Sequence, residues 1–208
     1  MRDADFFRRW LDAAAASVER EADRLTELDS PIGDADHGSN MLRGFVAVRA
    51  ALAGADAAAP PGALLQLAGR TLISTVGGAS GPLYGTLLRS SGKELGEAAE
   101  VSDEQVRGAL DAGVGAVARL GGAAPGDKTM LDALVPGVAA LAASYGDAAD
   151  AAENGAEATT PMLARKGRAS YLGERSIGHQ DPGATSSALL LRALADAAGG
   201  TGDTGGAA

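Results

Sequence analysis

The sequence predicts an all-α fold of eight helices in an antiparallel, up-and-down bundle. Apolar residues recur at i, i+3 and i+4 along the chain, and no convincing run of strict alternation indicates a strand. Aromatic residues are only 3% of the total and much of the 46% hydrophobic fraction is alanine, which favours closely packed helices over a β-sandwich. We expect one helical domain over residues 1–198, followed by a Gly-rich, disordered tail over 199–208.

The first four helices follow from their apolar stripes. The first stripe covers residues 6–25, and the second helix begins near Ser39. A Pro- and Ala-rich connector over 54–62 precedes a third helix, whose apolar residues lie within 64–73. The fourth helix begins after Gly81.

The last four helices carry clearer terminal signals. Residues 102–105 have the pattern of a capping box and open the fifth helix. The sixth covers the apolar positions within 131–141, and Pro136 should kink it unless it lies in the first turn. The seventh is an Ala-rich run from about 147 to 163. An aspartate followed by proline at 181–182 is a strong start signal for the eighth.

Four unusual segments fall in alternate connections: 29–40, 77–85, 121–130 and 166–183. Short connections favour antiparallel neighbours, so all four segments should emerge at one end of the bundle. The intervening connections look like plain spacers. The sequence therefore predicts a functional site at one end, formed by these four loops.

Composition excludes several classes of function. A net charge of −9 argues against a nucleic-acid binder, which needs a basic face. The lack of Cys excludes disulfides, thiol catalysis, thiolate zinc sites and iron–sulfur clusters. The first residues have no apolar signal-peptide core, and the uncharged stretch 71–88 is broken by glycines and a proline. We therefore expect a cytoplasmic protein without a membrane span.

Three carboxylates lie within eight residues: Asp29, Asp34 and Asp36. They repel one another unless a cation joins them, and oxygen ligands favour Mg²⁺ or Ca²⁺. The alternative is that Asp34 or Asp36 merely caps the second helix. An EF-hand is excluded because Gly38 and Phe45 occupy the fifth and twelfth loop positions, which need oxygen ligands.

The other loops contain candidates for phosphate recognition. The Gly-rich segment 77–82 is either an anion site at a helix N-terminus or a plain turn, and neither a P-loop nor a Rossmann motif is present. Thr129 either meets a phosphate or caps the sixth helix, with Lys128 solvated in the second case. The last loop has a basic cluster suited to a phosphorylated ligand, and it includes one of the two histidines, His37 being the other. This cluster comprises Lys166, Arg168, Arg175 and His179.

The sequence resembles the L subunit, the nucleotide-binding subunit, of dihydroxyacetone kinase. Four motifs carry the resemblance in the same order: residues 32–38, 77–83, 126–130 and 164–183. The resemblance implies a barrel of eight antiparallel helices with ADP or ATP at one end, and two Mg²⁺ ions held by the three aspartates. Phosphoryl transfer needs mainly positioning and electrostatics, so we expect no catalytic side chain, and bound Mg²⁺ and Arg168 would position the reactants. The residues expected to bind the nucleotide are His37, Gly38, Ser39, Asn40, Ala79, Ser80, Gly121, Thr129, Met130, Arg168, Asp181, Pro182 and Gly183.

The resemblance also implies partners. In this family a separate K subunit holds dihydroxyacetone covalently through a histidine. The 208 residues leave no room for a K region, which favours the phosphotransferase-system type, in which bound ADP is rephosphorylated by a phosphohistidine M subunit charged from phosphoenolpyruvate.

Two alternatives to this function stay open. One is an ATP-dependent kinase module for another small substrate. The other is a nucleotide-loaded regulatory subunit that binds a transcription regulator. The sequence leaves the oligomeric state open, a homodimer included.

Overall fold

The computed structural model describes residues 1–199, and this part of the chain is a barrel of eight α-helices. Each helix packs against the next in sequence, and α8 packs against α1, which closes the ring. The predicted all-α class and helix number are therefore confirmed, whereas the predicted tail, apart from Gly199, lies outside the described residues. The helices are α1 (Ala4–Asp29), α2 (His37–Ala53), α3 (Pro61–Thr75), α4 (Ser80–Leu95), α5 (Asp103–Gly121), α6 (Leu131–Ala140), α7 (Tyr145–Ala158) and α8 (Pro182–Gly199).

Two features were not predicted. A minimal antiparallel pair joins β1 (Arg2–Asp3) to β2 (Glu100–Val101), with Arg2 opposite Val101. A 3-10 helix, Arg168–Ser176, forms inside the last long loop. Strands of two residues and a 3-10 helix leave no hydrophobic period, so the pattern that predicts the α-helices does not find them.

The predicted capping signals act as expected. The Ser102 hydroxyl accepts the N–H of Gln105 at 3.1 Å, and the Gln105 side chain accepts the N–H of Ser102 at 2.8 Å. At the start of α8, the Asp181 carboxylate accepts the N–H of Ala184 at 2.7 Å. Pro136 lies inside α6 rather than in its first turn, and the helix continues past it to Ala140.

The seventh helix is shorter than predicted. It ends at Ala158, not near residue 163, because Pro161 lacks an N–H and disfavours helical backbone in the residue before it. The buried Thr159 hydroxyl donates to the carbonyl of Ala156 at 2.6 Å and also accepts the N–H of Asp181 at 2.9 Å. The end of α7 is thereby tied to the start of α8.

The core fills the barrel and contains most of the few aromatic residues. Phe6, Phe7 and Trp10 of α1 are almost fully buried, and the Trp10 indole N–H donates to the carbonyl of Leu190 in α8 at 2.9 Å. Between α3 and α4 the backbones approach so closely that a Cβ at Gly62 would lie 2.2 Å from the carbonyl oxygen of Gly96. Within residues 1–199, no helix has the length and apolar character needed to cross a membrane.

Candidate functional site

One end of the barrel holds a cavity of about 430 Å³. All four segments that the sequence singled out contribute to its wall, as do the first residues of α2, α4, α6 and α8. Backbone N–H groups in the first turn of a helix have no carbonyl partner within the helix, and the helix dipole places partial positive charge there. The cavity is therefore surrounded by four helix ends that favour an anion.

The three aspartates lie together at this cavity. One carboxylate oxygen from each of Asp29, Asp34 and Asp36 lies within 4.8 Å of the others. Asp29, the last residue of α1, is buried, and its Oδ2 atom accepts the N–H of Asp36 at 3.0 Å and that of His37 at 3.3 Å. Asp36 occupies the N-cap position of α2, but its side chain makes no capping hydrogen bond. The alternative that Asp34 or Asp36 serves merely as a helix cap is thus not supported.

The geometry of this acidic cluster fits a divalent cation. Among residues 1–199, the cluster forms an ion pair with a single cation. This is the Arg168 guanidinium, which lies 3.0 Å from the Asp34 carboxylate. Gly33 leaves room for the cluster, because a Cβ there would lie 1.9 Å from Oδ1 of Asp29. Three converging carboxylates without matching positive charge are a donor set that suits Mg²⁺ or Ca²⁺.

His37 is held by hydrogen bonds on both ring nitrogens. Nε2 lies 2.8 Å from the Ser186 hydroxyl of α8, and Nδ1 lies 3.2 Å from the Ser80 hydroxyl of α4. Burial lowers the pKa of His37, and the nearby Asp29 and Asp36 only partly oppose this shift. The imidazole is therefore neutral at pH 7 and connects the starts of three helices.

Behind His37 lies a buried hydroxyl cluster. The Tyr84 hydroxyl donates to the carbonyl of Gly183 at 2.9 Å and lies 2.7 Å from the Ser186 hydroxyl and 2.8 Å from that of Ser187. Burial raises the pKa of Tyr84, so the phenol stays protonated. The cluster fixes α4 against the first two turns of α8.

Asp181 and Lys128 are two charged residues of the cavity wall whose charges influence each other. Protein atoms around the Asp181 carboxyl raise its pKa to about 7, although the N–H of Ala184 and the positive charge of Lys128 oppose the shift. Lys128 is 1% exposed, so the alternative in which it is solvated is wrong. Burial lowers its pKa, and the negative charge of Asp181 opposes this.

Most predicted site residues line the cavity, and a few do not. Gly38 packs against α1, where a Cβ would lie 1.9 Å from the carbonyl oxygen of Ala22, and Ser39 is exposed with its hydroxyl donating to the carbonyl of Asp36. Arg175 and His179 of the basic cluster also lie outside the lining. The predicted residues that do line it are Asp29, Asp34, Asp36, His37, Asn40, Ala79, Ser80, Gly121, Thr129, Met130, Lys166, Arg168, Asp181, Pro182 and Gly183.

The apolar wall of the cavity was not predicted from the sequence. The residues of this wall lie in the apolar stripes of their helices or in loops. Their spacing alone predicts only that they belong to the hydrophobic core. A polar site in which one wall is apolar suits a ligand with both a charged part and a flat or apolar part. The wall includes Ile32, Leu83, Val117, Leu120 and Leu131.

The fold and the cavity together define a class of protein: all-α barrels with a cavity formed by the loops at one end. The cavity combines an acidic cluster, which suits cations, with four helix N-termini, which favour an anion. The family model described as the DAK2 domain matches residues 31–196. The chain belongs to this family, and the predicted resemblance to dihydroxyacetone kinase L subunits is confirmed.

Individual relatives agree with this assignment. The chain is 45% identical over 199 residues to the ADP-binding subunit DhaL of the PEP-dependent dihydroxyacetone kinase of Escherichia coli, covering 91% of this chain and 94% of that subunit. It is 42% identical to an ADP-binding subunit DhaL of Listeria innocua, covering 92% and 94%. The crystal structure of the dihydroxyacetone kinase from C. freundii in complex with AMP-PNP and Mg²⁺ superposes with a TM-score of 0.73 at 28% identity. That match covers 94% of this chain but 35% of the longer kinase.

Proposed function

We propose that this protein is the ADP-binding subunit of a PEP-dependent dihydroxyacetone kinase. It holds ADP or ATP with two Mg²⁺ ions in the cavity and transfers a phosphoryl group to dihydroxyacetone carried by a separate K subunit. A phosphohistidine M subunit, charged from phosphoenolpyruvate, then rephosphorylates the bound ADP. The relatives named as ADP-binding subunits support this proposal, because the chain spans nearly their whole length.

One observation carries the proposal. The acidic cluster of Asp29, Asp34 and Asp36 lies in the same cavity as the N-terminal ends of α2, α4, α6 and α8. A nucleoside diphosphate or triphosphate with Mg²⁺ is the ligand that matches both features, since its cations bind carboxylates and its phosphates bind helix N-termini. The apolar wall, with Leu83 and Val117, then contacts the base or ribose.

The residues of the chain contribute by positioning and electrostatics. Bound Mg²⁺, held by the three aspartates, would neutralise the charge that builds up on the phosphates. Arg168 already lies beside Asp34 and supplies a second positive charge at the same place. The His37 ring is fixed by Ser80 and Ser186, one at each ring nitrogen, so it contributes by orienting the groups around it. Phosphoryl transfer requires little more from a protein than such positioning.

The first test measures how much nucleotide and Mg²⁺ the purified protein contains. The chain is denatured, and the supernatant is assayed for nucleotide and Mg²⁺. We expect both in amounts comparable to the protein. Absence of both, together with no binding of added ADP, would overturn the proposal.

The second test uses a variant and a matched control. Asp34→Asn should abolish Mg²⁺-dependent retention of the nucleotide and leave the helix content unchanged, because Asp34 is an exposed loop residue. Asp23→Asn, on the exposed face of α1, removes the same charge and should retain the nucleotide like the parent. If Asp34→Asn retains the nucleotide at the parent's affinity, Asp34 is not a ligand of the metal.

The donor and acceptor are tested with purified partners. Phosphorylation of K-bound dihydroxyacetone should require the M subunit and phosphoenolpyruvate, with the nucleotide staying bound. Exchange with free ATP and activity without phosphoenolpyruvate would instead indicate the ATP-dependent kinase module. Binding to a transcription regulator with no phosphoryl transfer would indicate the regulatory subunit.

A further inference from the structure

A buried lysine lies beneath the last loop of the site. Lys128 is 1% exposed, and among residues 1–199 its ammonium makes no ion pair within 4.0 Å. It donates instead to three backbone carbonyls, those of Ser176 at 2.6 Å, Met162 at 3.1 Å and Thr160 at 3.5 Å. An ammonium has three N–H donors, so its hydrogen-bonding capacity is used entirely on main chain.

Those carbonyls belong to the two ends of one loop, residues 160–178, which we call the Arg168 loop. Its ends are also joined by the N–H of Gly178, which donates to the carbonyl of Thr160 at 2.8 Å. The N–H of Ala164 donates to the Ser176 hydroxyl at 3.0 Å. The base of the loop is thus a closed group of hydrogen bonds around the buried Lys128 ammonium.

The far part of the Arg168 loop reaches the acidic cluster. Lys166 and Arg168 line the cavity, and the Arg168 guanidinium lies 3.0 Å from the Asp34 carboxylate. A loop whose ends are fixed presents its central side chains in a narrower range of positions than one whose ends move. The position of Arg168 therefore depends on the bonds at the base.

The backbone at Lys128 supports a specific role for the side chain. Its φ is +63°, in the left-handed region, which is uncommon for residues other than glycine. Such a conformation persists where the surroundings over-determine it. The three carbonyl bonds supply that restraint.

We infer that Lys128 is a positioning residue, whose ammonium holds the base of the Arg168 loop and thereby keeps Arg168 beside Asp34 and the bound phosphates. The part of this inference that concerns phosphates rests on the proposed function. The part that concerns the loop base does not, and the two are tested separately.

Hydrogen exchange tests the loop base. Lys128→Met removes the donors and keeps the length of the side chain, while Lys93→Met removes an exposed lysine at the end of α4. The experiment uses the full chain, with and without Mg-ADP. In Lys128→Met the Ala164 and Gly178 amides should exchange about tenfold to a hundredfold faster than in the parent, because the carbonyls that Lys128 binds lose their donor and the loop base opens more often. Amides of α1 to α4 and all amides of Lys93→Met should exchange at the parent's rate. Unchanged exchange, or faster exchange spread equally over all helices, would overturn the inference.

A double-mutant cycle tests whether Lys128 acts through Arg168. Release of bound ADP is timed in Lys128→Met, Arg168→Met and the double variant. If Lys128 acts through Arg168, the double variant should release ADP within about twofold of Arg168→Met, because the effects are not independent. If the increase in release rate in the double variant equals the product of the increases in the two single variants, the positioning role is overturned. If the parent holds no ADP, the proposed function fails, and the exchange experiment still decides the role of Lys128 at the loop base.

Chemical rescue separates the ammonium from the volume of the side chain. The chain has no cysteine, so Lys128→Cys gives a single thiol, which is alkylated in denaturant with bromoethylamine or with 1-iodopropane and then refolded. The first adduct restores an ammonium at nearly the original length, and the second is neutral. We expect slow exchange at Ala164 and Gly178 with the first adduct alone, against parent protein refolded in the same way. Equal exchange in both adducts would overturn the inference.

Discussion

Asp29, the last residue of α1, holds the first residue of α2 in place: its buried Oδ2 atom accepts the backbone N–H of His37 at 3.3 Å. The same oxygen accepts the N–H of Asp36 at 3.0 Å. One carboxylate therefore ends the loop between the two helices and contributes an oxygen to the acidic cluster. The structural role and the proposed metal-binding role of Asp29 are separable, because an amide preserves the first better than the second.

Asp29→Ala and Asp29→Asn should therefore differ. Without Mg²⁺, the alanine variant should lose about 1–3 kcal/mol of unfolding free energy, because two backbone N–H groups lose their acceptor. The asparagine variant keeps an acceptor oxygen and should lose less, while both variants lose Mg²⁺ binding. Urea unfolding and Mg²⁺ titration measure the two effects. Equal losses of stability in both variants would contradict the capping role, and Asp23→Ala on the exposed face of α1 is the control.

Gly33 should be essential for the geometry of the acidic cluster. A Cβ at this position would lie 1.9 Å from Oδ1 of Asp29, so Gly33→Ala must displace that carboxylate. We expect Mg²⁺ affinity to fall about tenfold or more, which corresponds to about 1.4 kcal/mol. Gly108→Ala is the matched control, because a Cβ there meets nothing within 4 Å on the exposed face of α5. Parental Mg²⁺ affinity in Gly33→Ala would show that the cluster tolerates the displacement.

The helices could be predicted from the sequence because each buries one apolar face, and burial leaves a period of 3.6 residues. The starts of α5 and α8 were also predictable, since Ser102 and Asp181 cap by local hydrogen bonds. The length of α7 was overestimated because the predicted helix ran through Pro161, which lacks the N–H that a helix needs.

The site could be predicted only as far as local sequence determines it. Short alternate loops place four segments at one end, and acidic and glycine-rich patterns mark them. The burial of Lys128 could not be predicted, because it depends on carbonyls 32 to 48 residues further along the chain. Tyr84 and Ser186 were missed because they lie on helices, where tyrosine and serine have no distinctive spacing.

Tyr84→Phe should destabilise the barrel. The Tyr84 hydroxyl is buried and contacts the carbonyl of Gly183 and the hydroxyls of Ser186 and Ser187, which lose a partner in the variant. We expect a loss of about 1–3 kcal/mol in unfolding free energy, measured by urea denaturation. Tyr171→Phe makes the same chemical change on a side chain that is 89% exposed, and should stay within about 0.5 kcal/mol of the parent. Equal stability of the two variants would show that the hydroxyl cluster adds nothing.

Asp181 should make the stability of the nucleotide-free chain depend on pH. Its pKa is raised to about 7 by burial, whereas an unfolded aspartate titrates near 4, so the folded state holds the proton more tightly between these values. The fold is then favoured at low pH, and its free energy of unfolding falls as the pH rises from about 4 to about 7. Asp181→Asn cannot ionise, so its stability relative to the parent should increase over this range and level off above it.

Asp103 is the control for Asp181, because its contribution to stability has the opposite dependence on pH. Arg2 donates to Asp103 and lowers the pKa of that carboxyl, so its contribution is present at neutral pH and is lost as the pH falls through the acidic range. Asp103→Asn should therefore be less stable than the parent at pH 7, and the difference should shrink on acidification. Urea unfolding of both variants from pH 3.5 to 8 compares the two slopes directly. A stability difference for Asp181→Asn that stays constant over this range would contradict the raised pKa, because it would mean that Asp181 titrates alike in the folded and the unfolded chain.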